Sequence, residues 1–414
     1  MTTAGITTHP PLASVAAPDR RRTVPHGAGF WVIAAAFLAV MAFSTIPTPL
    51  YALYQQRDGF PTYVITVVFA AYAVGVVASL FLAGHVSDWL GRRRIILAAV
   101  LIELLSAVVF LLWPEVPGLL LARFISGVGA GAITATATAH LSELRAIARP
   151  DEGPAFSRVV STLVNMGGLA LGPLLAGILA VTVTDPLTVP YAVFVVALLV
   201  AAIAVVFVPE TVERREELPA YRPQRVSVPA ASRSAFWSAA AGAFAGFAIF
   251  GLFTSLAPSF IAGSLHESSR LLAGAVSFGV FAAAAVAQIV FARVPTRRGL
   301  VIAILAMVVG LVAFAAGVVG VSLPLFVIGG VVAGAGVGVL FRVSLAIAGS
   351  LASPETRGEV LAAMFLAAYV GLALPVLLLG IALAFLPVVP VLLAFVAIVI
   401  VMVVVAGRAM RARA

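Results

Sequence analysis

Cysteine and lysine are both absent from the sequence, and only 10% of its residues carry a charge. Without cysteine there is no disulfide framework and no thiolate metal site, so thiol usage leaves the redox compartment open. Without lysine there is no phosphate-binding Gly-Lys loop, and every fixed cation is an arginine. No metal-ligand cluster and no nucleophile-base arrangement stands out, and no polar stretch is long enough to form a soluble catalytic or signalling domain. A membrane-bound enzyme or receptor is therefore disfavoured, and neither metal nor cofactor is expected.

The chain does have long apolar runs. Of its 414 residues 63% are hydrophobic, with a mean hydropathy of +1.17, more than a soluble core needs. The formal charge of +9 would suit nucleic acid only if a soluble domain displayed a basic face, and none is long enough. The charge should instead orient the chain in a bilayer. Arg20, Arg21 and Arg22 before the first apolar run imitate a signal peptide. That run is long and many more follow, so an uncleaved first helix is expected.

With ~20 residues as the length of a span, apolar segments fall at 29–50, 62–83, 94–113, 117–141, 155–182 and 190–208, and again at 235–262, 269–292, 299–319, 323–348, 358–386 and 388–407. The expectation is a cytoplasmic tail (1–28), a six-helix bundle (29–208), a cytoplasmic linker (209–234), a second bundle (235–407) and a cytoplasmic tail (408–414). Twelve spans put both termini on one side. Counting arginines at the ends of spans with the adjoining loops, 21 of the 25 fall on the side assigned to the cytoplasm, Arg57 and Arg270 outside, and Arg123 and Arg342 within spans. This bias fits the positive-inside rule. Glu213, Arg214, Arg215, Glu216, Glu217, Pro219, Pro223 and Pro229 give the linker the mixed-charge, proline-broken composition of an exposed connector. Pro47 and Pro49 predict a kink at the outer end of the first span.

Two weak echoes relate the halves. Ser126-Gly127-Val128-Gly129-Ala130-Gly131 in the fourth span returns as Ala333-Gly334-Ala335-Gly336-Val337-Gly338 in the tenth, and Gly168-Leu169-Ala170-Leu171 in the fifth returns as Gly371-Leu372-Ala373-Leu374 in the eleventh.

Between the second and third spans lies Gly84-His85-Val86-Ser87-Asp88-Trp89-Leu90-Gly91-Arg92-Arg93-Arg94. Gly84 permits close helix contact, Asp88 places an anion at a helix end, Gly91 permits a sharp reversal, and the arginines hold the loop in the cytoplasm. The pattern GxxxDxxGRRR closely resembles the corresponding loop of the major facilitator superfamily. That resemblance covers residues 29–407 and implies an all-α membrane protein of twelve transmembrane helices in two pseudo-symmetric six-helix bundles, with the solute site between them. It further implies that Asp88 meets the N-terminal end of the eleventh helix, near Gly358, as part of a conformational gate.

An arginine inside a span is costly unless it faces water or a partner. Arg123, with Gly127 and Gly129 after it, resembles the family's RxxxGxG motif on helix 4, which is associated with proton coupling; Ser126 stands where the motif usually has glutamine. Glu103 in the third span is the clear intramembrane carboxyl group, and Arg123 is its nearest candidate partner by depth. A snorkelling Arg123 and a neutral, packed Glu103 are the plain alternatives. Gly168, Gly172, Pro173 and Gly177 read GxxxGPxxAG, resembling the antiporter motif of exporters in this superfamily, with Ala176 in place of glycine. A packing role alone is the alternative.

Asn165, Phe247 and Gln288 are candidates for the solute cavity. Phe244, Phe247, Phe250 and Phe253 precess by ~180° around the seventh span, so they cannot all face one cavity. His140 and Arg342 suit the inner interface. Taken with the resemblance, these features suggest export of a small, largely apolar organic compound by proton antiport. Solute-proton symport and facilitated diffusion are the alternatives. The expected partners are a small molecule, protons and the lipid bilayer, for a monomer whose two termini lie on the cytoplasmic side of the cell's inner (plasma) membrane.

Overall fold

A computed structural model describes residues 23–83, 86–212, 223, 228, 232–353 and 356–412, without the side chains of Ala83, Asp88 and Arg357. The described residues form helices and no strands, and twelve of these helices are long and apolar enough to cross a membrane. In chain order they are α1 (His26–Phe43), continued by a 3-10 turn (Thr48–Leu50) and α2 (Tyr51–Asp58); α3 (Thr62–Ala83); the short α4 (Ser87–Leu90); α5 (Arg92–Leu112); α6 (Val116–Ala148); α7 (Ala155–Thr182); α8 (Val189–Val206); α9 (Arg233–Ser255) with α10 (Ala257–Gly263); α11 (Arg270–Val290); α12 (Thr296–Val319); α13 (Leu323–Ser350); α14 (Arg357–Ala382); and α15 (Val388–Arg411).

The first span breaks where Pro47 and Pro49 remove backbone donors, and the first span of the second half breaks likewise before Pro258. The fourth span is longer than expected, because a polar extension to Ala148 continues the helix beyond the apolar run. The described chain ends, near His26 and Arg411, share one face, called here the terminal face; α2 and α10 lie at the far face.

The glycine echo proves to be a packing repeat. A Cβ on Gly127 would lie 2.1 Å from the Tyr72 carbonyl oxygen of α3, and one on Gly129 2.8 Å from the Glu103 side chain of α5. In the second half, a Cβ on Gly334 would lie 2.5 Å from the Val280 carbonyl oxygen of α11, and one on Gly336 2.6 Å from the Met307 side chain of α12. In each half the fourth span thus turns one glycine to the second span and the next to the third, and small residues let the backbones touch. The other echo behaves likewise: Gly168 packs on Met41 of α1, and Gly371 on the Phe244 backbone of α9.

Each half holds an aromatic knot. Phe110 stacks on Tyr191 at 4.7 Å beside Phe43, while Phe314 and Phe326 lie 4.8 Å apart beside Phe253.

Candidate functional site

Gly274 of α11 fits against the Pro173 carbonyl oxygen, Gly177 of α7 against the backbone of Arg270 and Gly274, and Gly380 of α14 against Thr66 of α3. All three contacts join the halves near the far face. Pro173, Gly177 and Gly274 thereby share the seam between halves, whereas Gly168 and Gly172 pack inside the first half, against Met41, Ala42 and Thr45.

Beneath this seam lies a cavity of about 410 Å³. Its far end is lined by Ser44, Thr48, Arg123 and Thr254, all buried; at the terminal face it is lined by Ala135, Thr138 and Arg158, all exposed. The cavity is therefore closed at the far face and open at the terminal face.

Its two walls differ chemically. The first half contributes Thr45, Tyr72, Arg123, Thr134, Thr162 and Asn165; the second contributes Phe247, Phe250, Phe281, Phe341, Phe365 and Tyr369, with Gln288. Phe247 lies 4.8 Å from Phe341 and 5.9 Å from Tyr369, and Phe250 stacks on Phe281 at 4.5 Å. All three cavity residues singled out from sequence, Asn165, Phe247 and Gln288, line it. Of the α9 phenylalanines, Phe247 and Phe250 face the cavity, Phe253 joins the aromatic knot, and Phe244 backs α14, as the precession requires.

Arg123 is 2% exposed, and its Nη1 donates to the Ser44 carbonyl at 2.5 Å. Its guanidinium lies 4.4 Å from the Tyr72 ring centroid and 5.8 Å from that of Phe69, a cation-π setting. The Tyr51 hydroxyl adjoins it. The pairing with Glu103 anticipated from depth is not made: Glu103 is buried between α5 and α6, where its Oε1 accepts from Ser126 Oγ at 3.3 Å and its Oε2 has no partner. Ser126, one turn further along α6, meets the α5 carboxyl, while Arg123 turns to the Ser44 carbonyl of the first span.

At the terminal face, Gly91 has φ +99°, and a Cβ there would lie against the Glu210 carboxylate. Glu210 accepts from the main-chain N–H of Arg92 at 2.8 Å and of Arg93 at 3.2 Å, capping α5. The Arg92 side chain pairs with Glu143 of α6 at 3.2 Å, and Arg93 donates to the Val208 carbonyl at 3.1 Å. Arg94 is exposed. Arg92 and Arg93 thus pin α5 to the ends of α6 and α8, beyond any role in orienting the loop. Asp88 lies in α4, but its side chain, and Gly84 as a whole, fall outside the described residues, and with them the gate contact toward Gly358. His140 is buried against the Pro209 carbonyl at 3.1 Å, and Arg342 donates to the Ala292 and Val294 carbonyls at 3.2 Å.

Residues 32–306 match the sequence model of the Major Facilitator Superfamily. The chain belongs to that superfamily. Among curated superfamily proteins, an MFS-type transporter of Mycobacterium tuberculosis is 29% identical over 160 residues, 39% of this chain and 22% of that one. The arabinose-proton symporter of Bacillus subtilis is 32% identical over 94 residues, 23% of this chain and 19% of the symporter. The chain therefore aligns with about a fifth of the length of each relative. The crystal structure of the human organic anion transporter TETRAN superposes with a TM-score of 0.68 at 16% identity, covering 94% of this chain and all of that one, and shows the same fold. The family membership and the twelve helices long and apolar enough to cross a membrane together support a multi-pass membrane protein of the superfamily fold.

Sequence reasoning missed Glu143, Glu210 and most of the aromatic wall. The wall draws its rings from α9, α11, α13 and α14, so no single-helix periodicity reveals it. Glu210 carried a usable signal: an acid directly after the apolar run that ends the first half.

Proposed function

We propose that this superfamily member exports a small, largely apolar organic compound by alternating access, in exchange for protons. The observation that carries this reading is the cavity between the halves, shut at the far face and open at the terminal face, with one polar wall and one aromatic wall. The arginine bias assigns the terminal face to the cytoplasm, so the solute would load from inside. The glycine seam at the far face is the contact that opens on release.

Glu103 is the proposed proton carrier. It lies on α5 and accepts from Ser126, which stands one turn along α6 from Arg123, so its protonation would alter the charge balance near the cavity's closed end. A second reading, protons moving with the solute, is favoured by one detail: among the described residues no carboxylate contacts Arg123, which leaves that cation to the solute.

The test is transport of a panel of organic compounds in liposomes carrying an imposed pH gradient and an internal pH dye. Solute and protons moving in opposite directions is the expected result. Movement in one direction selects the second reading, and solute flux indifferent to the gradient rules out both forms of coupling.

A further inference from the structure

The cavity carries positive charge without negative charge. Among the described residues its charged lining groups are Arg123 at the closed end and Arg158 at the open end, and no aspartate or glutamate lines it. Arg123 is almost wholly buried, yet its neighbours are a backbone carbonyl, two aromatic rings and a tyrosine hydroxyl, none of them anionic. One guanidinium donor is used at Ser44, while the buried Nε has no partner. A buried cation is stable when an anion pairs with it, and the fork of donors suits the two oxygens of a carboxylate or sulfonate. Across from it stand the rings of Phe247, Phe281, Phe341 and Tyr369, which offer flat apolar area to a solute body.

We infer that the solute is an organic anion, with an acidic group held by Arg123 and an aromatic or aliphatic body laid on the aromatic wall. This rests on the alternating-access reading of the cavity and adds the solute's charge to it. The cavity suits one small molecule of this kind. Cations are refused by the same arrangement, because two arginines repel them and no acid attracts them.

The experiment uses the purified full chain and three probes of nearly equal shape: naphthalene-1-sulfonate, 1-naphthamide and 1-naphthylmethylammonium. Equilibrium binding should rank the sulfonate first and the ammonium last. Arg123→Gln should weaken the sulfonate roughly ten- to a hundredfold, the range of a lost charged hydrogen bond, and leave the amide within about twofold. Arg158→Gln, at the exposed mouth, should weaken the sulfonate less. The ranking in the wild-type chain needs no variant and stands even if Arg123→Gln fails to fold. An amide or ammonium that binds as tightly as the sulfonate overturns the inference, as does a folded Arg123→Gln that holds the sulfonate undiminished. If liposomes then still transport the amide, only the charge assignment has failed. If none of the three probes binds, the cavity is not the solute site and both readings fall.

Discussion

Glu210 accepts the main-chain N–H of Arg92 at 2.8 Å, joining the end of the sixth span to the start of the third. A carboxylate at a helix N-terminus satisfies orphan donors and meets the positive end of the helix dipole. Glu210→Ala should therefore lower stability by ~1 kcal/mol, within the usual range for a lost cap, with Glu210→Gln losing less. Thermal unfolding in detergent reads this; an unchanged midpoint for Glu210→Ala would make the contact incidental.

Neighbouring glycines in α7 should behave oppositely. A Cβ on Gly172 would lie 2.1 Å from the Ala42 carbonyl oxygen, whereas one on Gly167 meets nothing within 4 Å. Gly172→Ala must push α1 and α7 apart and should destabilise by about 1–3 kcal/mol, as overpacking does. Gly167→Ala should be neutral or stabilising by up to ~1 kcal/mol, because alanine is the better helix former. Unfolding midpoints of the two variants, compared directly, decide this.

Gly274 is set against the other half, so enlarging it acts on conformation more than on folding. A Cβ there would lie 2.3 Å from the Pro173 carbonyl oxygen, a contact made across the far-face seam. Gly274→Leu should disfavour the state that is closed at the far face. The sequence contains no cysteine, so a single introduced probe reports cleanly. With Thr138→Cys at the terminal mouth, the added Gly274→Leu should slow labelling by a membrane-impermeant thiol reagent applied from that face. Equal labelling with and without Gly274→Leu would mean the seam does not set the open side.

The twelve spans were legible because a bilayer demands long apolar runs, and each run is long enough to count. The pairing of halves was legible in Gly127, Gly129, Gly334 and Gly336, since backbone contact tolerates little but glycine. The cavity was legible one residue at a time, in Asn165, Phe247 and Gln288. Its asymmetry was not, because a wall assembled from four helices leaves no pattern within any one of them. The relation of Arg123 to Glu103 was misjudged for a similar reason: depth follows from residue number, but which face of α6 meets α5 depends on packing.

Alternating access is tested most directly by locking the far face. A Cβ on Gly380 would lie 3.0 Å from the Thr66 Cβ, close enough for a disulfide after a shift of about half an ångström. Thr66→Cys with Gly380→Cys, in a chain that has no other cysteine, should carry solute in liposomes when reduced, stop when oxidised and recover on reduction. Undiminished transport by a fully cross-linked population would contradict the requirement that the far face open, and with it the proposed transport cycle.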